Sequence, residues 1–256
     1  MKTIKTTLLL LLVTTFAINS NSYCQEHNKK ENKAHWGYSG EHGPDNWGKM
    51  KPEYKLCENG ISQSPIDFNS PISASLIKIN FNYKPTNLNI INNGHTIQVN
   101  YTNGSFAVID GKKYSLLQFH FHTPSEHTVS GMHFDMEMHL VHKNKEGKLA
   151  VVGVFIKVGK EDKNFDSIIA NIPEHKTEAK QYDEKIDVNS LLPKNKSYFH
   201  YFGFLTTPPC TEGVSWSVLT TPIEISRQQY QKFHSIIGNN NRPVQPINNR
   251  FVLISK

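Results

Sequence analysis

Apolar and polar residues alternate with a period of two through most of the chain between residues 88 and 220. Successive side chains of a strand point to opposite faces, so this alternation predicts half-buried β-strands. Asn93-Gly94 and Asp110-Gly111 are turn dipeptides that close β-hairpins. The predicted strands are residues 88–92, 95–101, 106–109, 114–122, 132–142, 149–158 and 215–220. We therefore predict a mainly β (α+β) fold, a single domain around a large twisted, mostly antiparallel central sheet with short peripheral helices.

Helical patterns are few. Ser226 and Gln229 form a capping-box pattern that precedes a one-sided apolar run, and Gly238 ends it. Residues 164–172 could form a second, shorter helix. Residues from 35 to about 70 are rich in Gly, Pro, Asn and Asp, which predicts loops and turns there.

Residues 1–22 have the organisation of a secretory signal peptide. Lys2 and Lys5 precede a leucine-rich run at residues 8–13, and small polar residues follow up to Ser22. The run is short for a membrane span, and a buried helix of the mature domain is the alternative interpretation. Signal cleavage would remove two lysines and lower the formal net charge of +6 by two.

The start of the mature chain is open. Cleavage near Ser22, cleavage after Cys24 and a lipid anchor on Cys24 all remain possible, although Tyr23 is a poor residue before a lipid-modified cysteine. Residues 23–33 are polar and predict a flexible lead-in, so the domain is expected to span residues 34–256. We predict an exported protein, either periplasmic or secreted.

The remaining charges are scattered along the chain. Lysine and glutamate alternate in stretches such as residues 143–148, which indicates a solvated surface. No basic stripe with interleaved aromatic residues occurs, so the sequence argues against nucleic-acid binding. No other segment is long and apolar enough to predict a transmembrane helix.

Three cysteines occur, and Cys57 and Cys210 are the two inside the predicted domain, whereas Cys24 lies at the signal boundary. An exported protein meets an oxidising compartment, so a Cys57–Cys210 disulfide is plausible, and two free buried thiols are the alternative. Zinc binding by the cysteines is disfavoured because no CxxC pair exists.

Two of the predicted strands carry histidines at alternating positions. Gln118, His120 and His122 share one face, and Glu137 and His139 share a face of the next predicted strand. Adjacent antiparallel strands could present the three imidazoles to one point, a donor set that suits Zn²⁺ with a fourth position open to water. Gln118 and Glu137 could orient the imidazoles by accepting their second N–H. By spacing alone, a purely structural role for these histidines is an equal alternative.

Several segments resemble signature stretches of the alpha-class carbonic anhydrases. They occur in the order found in that family, from about residue 35 to 250, and span nearly all of the predicted mature chain. The segments are residues 35–38 (HWGY), 63–66 (QSPI), 92–95 (NNGH), 118–122 (QFHFH), 125–128 (SEHT), 137–142 (EMHLVH), 205–209 (LTTPP), 214–216 (VSW) and 241–246 (NRPVQP). The resemblance implies a zinc lyase that converts carbon dioxide and water reversibly into bicarbonate and a proton. It implies attack by zinc hydroxide, followed by export of the proton through a histidine.

The resemblance also implies a metal site with one Zn²⁺ per chain. The implied ligands are His120, His122 and His139, and the implied orienting groups are Gln118, Glu137 and the backbone carbonyl near Asn240. The chain departs from the family pattern at Asn241, where relatives often have an aromatic residue.

Thr206 matches the threonine that accepts a hydrogen bond from zinc-bound hydroxide and donates one to Glu126. Without the family resemblance, a turn residue before Pro208-Pro209 is the favoured interpretation of Thr206. Thr207 matches a polar residue beside the bicarbonate site.

The remaining matches concern the substrate pocket and the proton path. His95 matches the proton shuttle, for which a strand-end histidine without a catalytic role is the alternative. The implied apolar wall for carbon dioxide consists of Val141, Val151, Leu205, Val214 and Trp216, each of which could equally be a core residue. The residues implied to hold water between zinc and His95 are Tyr38, Asn93 and Gln98. Cys57 and Cys210 fall where exported bacterial members of the family carry a disulfide.

Other interpretations remain open. A non-catalytic binding module could have the same fold, and an ester hydrolase could use the same zinc site as a side activity. The oligomeric state, monomer or dimer, is not predicted. The histidines assigned to structural or surface roles are His127, His133, His142, His175, His200 and His234.

Overall fold

The computed structural model of the protein describes residues 35–256. The predicted signal peptide, the possible anchor at Cys24 and the lead-in at residues 23–33 lie outside the described residues and stay predictions. Between residues 35 and 256, no helix has the length and hydropathy needed to cross a membrane.

The described residues form mostly strands. The strands are β1 (Asp67–Phe68), β2 (Ile72–Ala74), β3 (Asn80–Asn82), β4 (Thr86–Asn92), β5 (Ile97–Asn100), β6 (Phe106–Ile109), β7 (Lys112–His122), β8 (Thr128–Val129), β9 (Met136–Lys143), β10 (Leu149–Val158), β11 (Lys180–Ile186), β12 (Tyr198–Gly203), β13 (Val214–Ile225) and β14 (Leu253–Ser255). The α-helices are α1 (Trp47–Met50), α2 (Leu56–Asn59), α3 (Asp166–Ala170) and α4 (Arg227–Ile237). The 3₁₀ turns are Gly40–His42, Pro44–Asn46, Pro52–Tyr54, Lys163–Phe165 and Val188–Leu191.

One large sheet contains every strand except β1 and β8, which pair with each other. Its main path runs β11-β4-β5-β7-β9-β10-β13-β12-β14-β2, with β6 beside β7 and β3 beside β6. Most neighbours are antiparallel, whereas β10 pairs with β13 and β14 pairs with β2 in parallel. The predicted fold class is confirmed, because a large and mostly antiparallel sheet dominates the described residues.

The capping box predicted at Ser226 and Gln229 begins α4, and Gly238 follows its last residue. Two predictions were wrong in detail. Residues 132–135 precede β9 rather than belong to it, and residues 40–59 contain short helical turns rather than loops alone. These turns surround the buried indole of Trp47, whose N–H donates to backbone carbonyls of the preceding turns.

The strand β12 was not predicted. Its residues are buried with one exception, so the strand lacks the alternation that identifies a half-buried strand. Its pairing with β13 and β14 occupies both edges of the strand. Its two faces are covered because Tyr198 packs in the larger apolar core, whereas Phe199 and Tyr201 pack in a second apolar cluster.

The two faces of the sheet around β7 and β9 have different roles. Phe119, Phe121, Met138 and Leu140 point into the larger apolar core, where Phe121 packs 4.6 Å (ring centroids) from Phe233 of α4. The alternate residues of the same two strands point to the opposite face. That opposite face carries the histidines predicted to bind a metal.

The disulfide between Cys57 and Cys210 is present, with Cα atoms 5.1 Å apart and 153 residues between the cysteines in sequence. It joins α2 to the loop that follows β12 and packs with Trp47 and Phe204 in a small apolar cluster. Closing a loop of this length stabilises a fold by about 5 kcal/mol in the chain-entropy model. The predicted pairing is therefore confirmed.

His142 is buried on the core-facing side of β9, where its Nε2 lies 2.7 Å from the hydroxyl oxygen of Tyr83. Burial lowers the pKa of His142 to about 4. In the unfolded chain the imidazole takes up a proton near its ordinary pKa of 6.5. Between these two values the unfolded state binds more protons than the folded state, so acid destabilises the fold in this window.

We predict that His142 contributes about 2 kcal/mol to the loss of unfolding free energy between pH 7.5 and pH 5. The variant His142→Gln, which does not titrate there, should lose correspondingly less stability over the same range. Urea unfolding of both proteins at the two pH values measures the difference. Equal losses in the two proteins would show that His142 is already protonated, or not buried, in the native state.

Candidate metal centre

The three predicted ligands converge on one side of the sheet. In the register of β7 with β9, His120 lies directly opposite His139. The ring centroid of His139 lies 5.4 Å from that of His120 and 4.6 Å from that of His122. The ring centroids of His120 and His122 are 5.0 Å apart. Each ring offers one nitrogen, and the three nitrogens all lie within 4.8 Å of one another, so they could hold one metal ion.

Two of the imidazoles are oriented by oxygen atoms. Nδ1 of His120 lies 2.9 Å from Oε1 of Gln118, and Nδ1 of His122 lies 2.8 Å from the backbone carbonyl oxygen of Asn240. Because these oxygens only accept hydrogen bonds, both Nδ1 atoms carry the proton. Each Nε2 is then left with a free lone pair, and His122 Nε2 has no hydrogen-bond partner among residues 35–256. The Gln118 side chain and the Asn240 carbonyl thus lie behind the imidazoles of His120 and His122.

His139 has the opposite orientation. Its Nε2 lies 2.9 Å from Oε1 of Glu137, although the contact is too oblique for a well-aligned hydrogen bond. Its Nδ1 faces the other histidines and lies 3.8 Å from Oε2 of Glu126. Nδ1 is therefore the His139 nitrogen available to a metal.

Glu137 is fixed by a buried polar network that the sequence analysis did not identify. Its Oε2 accepts the backbone N–H groups of Glu126 and His127, both at 2.9 Å, and its Oε1 lies 2.8 Å from Nδ1 of His127. On its other side, His127 Nε2 lies 2.6 Å from the hydroxyl oxygen of Tyr201, which lies 2.8 Å from the hydroxyl oxygen of Ser64. His127 therefore holds the carboxylate that orients His139.

Gly153 makes room for this carboxylate. It lies opposite His139 in the pairing of β9 with β10, and a Cβ atom at this position would come within 2.9 Å of Oε1 of Glu137. The absence of a side chain lets the carboxylate lie against the neighbouring strand.

The electrostatics of the site favour a neutral His120, a neutral His122 and an ionised Glu137. Burial lowers the pKa of His120 well below its ordinary value, and it lowers that of His122 as well. Burial alone would lower the pKa of His139, but the Glu137 carboxylate raises it overall. Burial likewise opposes ionisation of Glu137, yet His127 and His139 hold its pKa well below its ordinary value. The orienting carboxylate thus makes His139 a stronger base, as metal ligands often require.

Glu126 is the second buried carboxylate of the site. Its Oε1 accepts the backbone N–H of Arg242 at 2.8 Å. Its Oε2 has no hydrogen-bond partner among the described residues and lies 3.5 Å from Nε2 of His122. Thr206 is also buried, but no hydrogen bond joins it to Glu126 in this part of the chain, so that predicted link stays a prediction.

Arg242 anchors the segment of residues 240–242, which supplies the Asn240 carbonyl to His122 and the Arg242 backbone N–H to Glu126. Its buried guanidinium donates to the backbone carbonyls of Ser64 and Cys57 and to the side chain of Gln63. Arg242 was not predicted as a site residue, although the motif at residues 241–246 contained it.

A cavity of about 120 Å³ opens at the histidines. It brings together the residues expected along the proton path, and its lining includes Tyr38, Asn93, His95, Gln98, Gln118, His120, His122 and Thr207. Trp36 and Thr96 also line it and were not predicted to do so.

His95 lies in an aromatic stack at the wall of this cavity. Its ring lies parallel to that of Trp36, with centroids 3.6 Å apart, and 4.7 Å from that of His35. Burial, with smaller contributions from His35 and Lys176, lowers the pKa of His95 to about 4. In this position the imidazole stays neutral at neutral pH.

Five apolar residues were predicted to form a wall beside the metal, and they lie together. Val151, Val214 and Trp216 are buried in one apolar cluster, with Val141 and Leu205 partly buried against it. The ring of Trp216 lies 4.9 Å from that of His139, so the cluster adjoins the histidines.

The donor set fits zinc. Three imidazoles with free, converging lone pairs and ordered acceptors behind them match the ligands that Zn²⁺ takes in catalytic sites. Cys57 and Cys210 do not compete for the metal, because the disulfide consumes both thiols. His127, Glu137 and His139 also lie within ligand distance of one another, but their atoms already contact each other as the orienting network.

Comparison with known proteins points to one family. The sequence profile of the eukaryotic-type carbonic anhydrases matches residues 42–256. A carbonic anhydrase of Klebsiella pneumoniae is 44% identical over 223 residues, which are 86% of this chain and 91% of the relative. One of Nostoc sp. is 42% identical over 252 residues, or 96% of each chain.

A solved structure gives the same result. The alpha-carbonic anhydrase of Thermovibrio ammonificans, in complex with the inhibitor sulfanilamide, superimposes with a TM-score of 0.84 at 47% identity. The match covers 86% of this chain and 98% of that structure.

We predict that Glu137→Gln weakens zinc binding by about 10- to 100-fold, because a neutral amide no longer raises the basicity of His139. Competition with a chromophoric zinc chelator measures the affinity. The control is Glu224→Gln, which removes a carboxylate from an exposed position of β13 and should leave zinc binding unchanged. An unaltered affinity in Glu137→Gln would mean that the Glu137 contact does not act on a metal ligand.

Proposed function

We propose, since this chain belongs to the carbonic anhydrase family, that it uses one Zn²⁺ per chain to hydrate carbon dioxide reversibly to bicarbonate and a proton. The observation that carries the proposal is the convergence of His120, His122 and His139, each with a polar oxygen behind it. Hydration of carbon dioxide is the general reaction of this family.

The residues that would hold the metal are His120 and His122 through Nε2 and His139 through Nδ1, because these are the nitrogens left free by the orienting contacts. When bound, zinc supplies a Lewis acid that ionises water near neutral pH.

Glu126 and Thr206 would orient the attacking oxygen. The free Oε2 of Glu126 is a buried acceptor beside the histidines. If the Thr206 hydroxyl donates its single proton to this oxygen, its lone pairs can only accept. A nucleophile that donates to Thr206 is then held in one orientation toward the substrate, which is a positioning effect.

The apolar wall would receive carbon dioxide. The substrate has no hydrogen-bond donor, so a pocket made of Val141, Leu205 and Trp216 holds it without strong polar contacts. Thr207, in the wall of the cavity, would lie beside the bicarbonate product.

His95 would carry the proton out, with Tyr38, Asn93 and Gln98 holding water along the route. In the stack with Trp36, burial and neighbouring charges lower the pKa of His95 to about 4, so this position does not favour a proton. Transfer near neutral pH therefore requires the ring to leave the stack and turn toward the water of the cavity.

We predict that the zinc-loaded protein hydrates carbon dioxide and that His139→Ala reduces the rate to that of the uncatalysed reaction, because one of three ligands is lost. Stopped-flow measurement with a pH indicator gives the rate, and metal analysis gives the zinc content. His42→Ala, which removes an exposed imidazole, is the matched control and should retain full activity. Wild-type protein that is no faster than His139→Ala, or that holds far less than one zinc per chain, would favour a non-catalytic binding module.

We predict that His95→Ala slows turnover by about tenfold or more in weak buffer, because proton export loses its acceptor. Added imidazole should restore the rate by replacing the missing side chain. Zinc content and thermal stability should match those of the wild type. A slow variant that imidazole does not rescue would place the proton route elsewhere.

A further inference from the structure

A second concave region lies where the hairpin of β6 and β7 meets the hairpin of β9 and β10. We call it the lysine basin, since five lysines line it. Lys112 and Lys113 come from the start of β7, Lys143 from the end of β9, and Lys145 and Lys148 from the turn before β10. Its volume is about 810 Å³, against about 120 Å³ for the cavity at the histidines. A concavity of this size can hold a ligand of many atoms.

The charge of the basin is strongly positive and poorly compensated. All five lysines are exposed, and the single acidic residue of the lining is Glu146, whose carboxylate lies 3.7 Å from the ammonium of Lys145. Within residues 35–256, no carboxylate lies within ion-pair distance of Lys112, Lys143 or Lys148. Asp110, on the turn that leads into β7, lies 3.8 Å from His200 instead. Like charges around one concave surface repel one another, so a bound anion would stabilise the arrangement.

The shape and chemistry of the lining favour a chain of anionic groups over a single small anion. The lysines come from two separate segments, residues 112–113 and residues 143–148. Each ammonium is a point charge that imposes no bidentate geometry. Leu117 provides an exposed apolar surface in the lining, because the register of β7 with β9 shifts between Leu116 and Gln118. Such a surface suits the apolar face of a sugar ring.

Two other polyanions fit less well. Among residues 35–256, no aromatic residue lines the basin, and the ring of nearby Phe106 is covered by the ammonium of Lys113 at 3.9 Å. Single-stranded nucleic acid would therefore lack a stacking platform. A flat anionic membrane would meet the rim rather than the concave lining.

We propose that the lysine basin binds a linear acidic polysaccharide, with its carboxylates or sulfates on Lys112, Lys143 and Lys148 and a sugar ring on Leu117. Lys143 lies on the same sheet face as the histidines, since it follows His139 and Val141 at alternate positions of β9. The basin shares no residue with the metal site or the proton path. The proposal is therefore independent of the proposed function.

The test compares two triple variants that lose the same charge. Lys112→Gln, Lys143→Gln and Lys148→Gln are combined in the basin variant, and Lys78→Gln, Lys180→Gln and Lys194→Gln in the control variant. The control lysines are exposed and lie outside the basin. The probe is a size-defined, fluorescently labelled oligogalacturonate, and anisotropy gives its dissociation constant at low and at physiological ionic strength.

We expect the wild type to bind the oligogalacturonate, with affinity falling as salt rises. The basin variant should bind about tenfold more weakly or worse, and the control variant should change less than twofold. Both variants should keep the wild-type thermal unfolding and catalytic rate, and the single variants Lys112→Gln and Lys148→Gln should show intermediate losses.

Equal losses in the basin and control variants would overturn the proposal, because net charge alone would then explain binding. Absence of oligogalacturonate binding at low salt would also overturn it. Tighter binding of a single-stranded oligonucleotide or of anionic phospholipid vesicles, lost in the basin variant alone, would replace the polysaccharide with that partner.

Discussion

The metal centre depends on the register between β7 and β9. His120 lies directly opposite His139, and His122 lies two residues further along β7 on the same face. In a strand, a shift of one residue moves every side chain to the other face. The same shift would turn Phe119, Phe121, Met138 and Leu140 out of the apolar core, so the core and the histidine cluster specify the register together.

Buried hydrogen bonds around Glu137 hold this arrangement of the histidines in place. Glu137 is completely buried, and such a charge is tolerated only when hydrogen bonds replace its hydration. The backbone of residues 126–127 and the side chain of His127 supply those bonds, and Tyr201 fixes His127 in turn. Glu126 contrasts with Glu137, because its Oε2 stays unsatisfied among the described residues and lies beside the histidines. His122 Nε2 and His139 Nε2 are also without a hydrogen-bond partner among residues 35–256, so three of the free buried polar atoms gather at the histidine cluster. Buried polar atoms left unpaired are rare and call for an explanation.

The sequence predicted what depends on local patterns. Period two located seven of the fourteen strands in residues 35–256, namely β4, β5, β6, β7, β9, β10 and β13. Alternation placed Gln118, His120 and His122 on one face before any pairing was known. It could not locate β12, whose buried faces erase the alternation, nor the short helices that surround Trp47. Those elements are set by tertiary burial rather than by local propensity.

Local sequence patterns alone could not predict contacts between residues that are far apart in the chain. The Asn240 carbonyl lies 118 residues from His122, and only the family resemblance suggested it. Arg242 reaches Cys57 across 185 residues, and its role has no local signal. The lysines at residues 143–148 were interpreted as a solvated surface, because their partners at the start of β7 come next to them only through strand pairing.

The most direct test of the account is X-ray absorption spectroscopy of the zinc-loaded protein, since it observes the ligands of the metal themselves. The account predicts one zinc per chain with three imidazole nitrogens at about 2.0–2.1 Å and one further light-atom ligand. The imidazole signal should fall by one ring in a variant that lacks His139 but still retains zinc. A sulfur ligand, fewer than three imidazoles in the wild type, or an unchanged spectrum without His139 would contradict it.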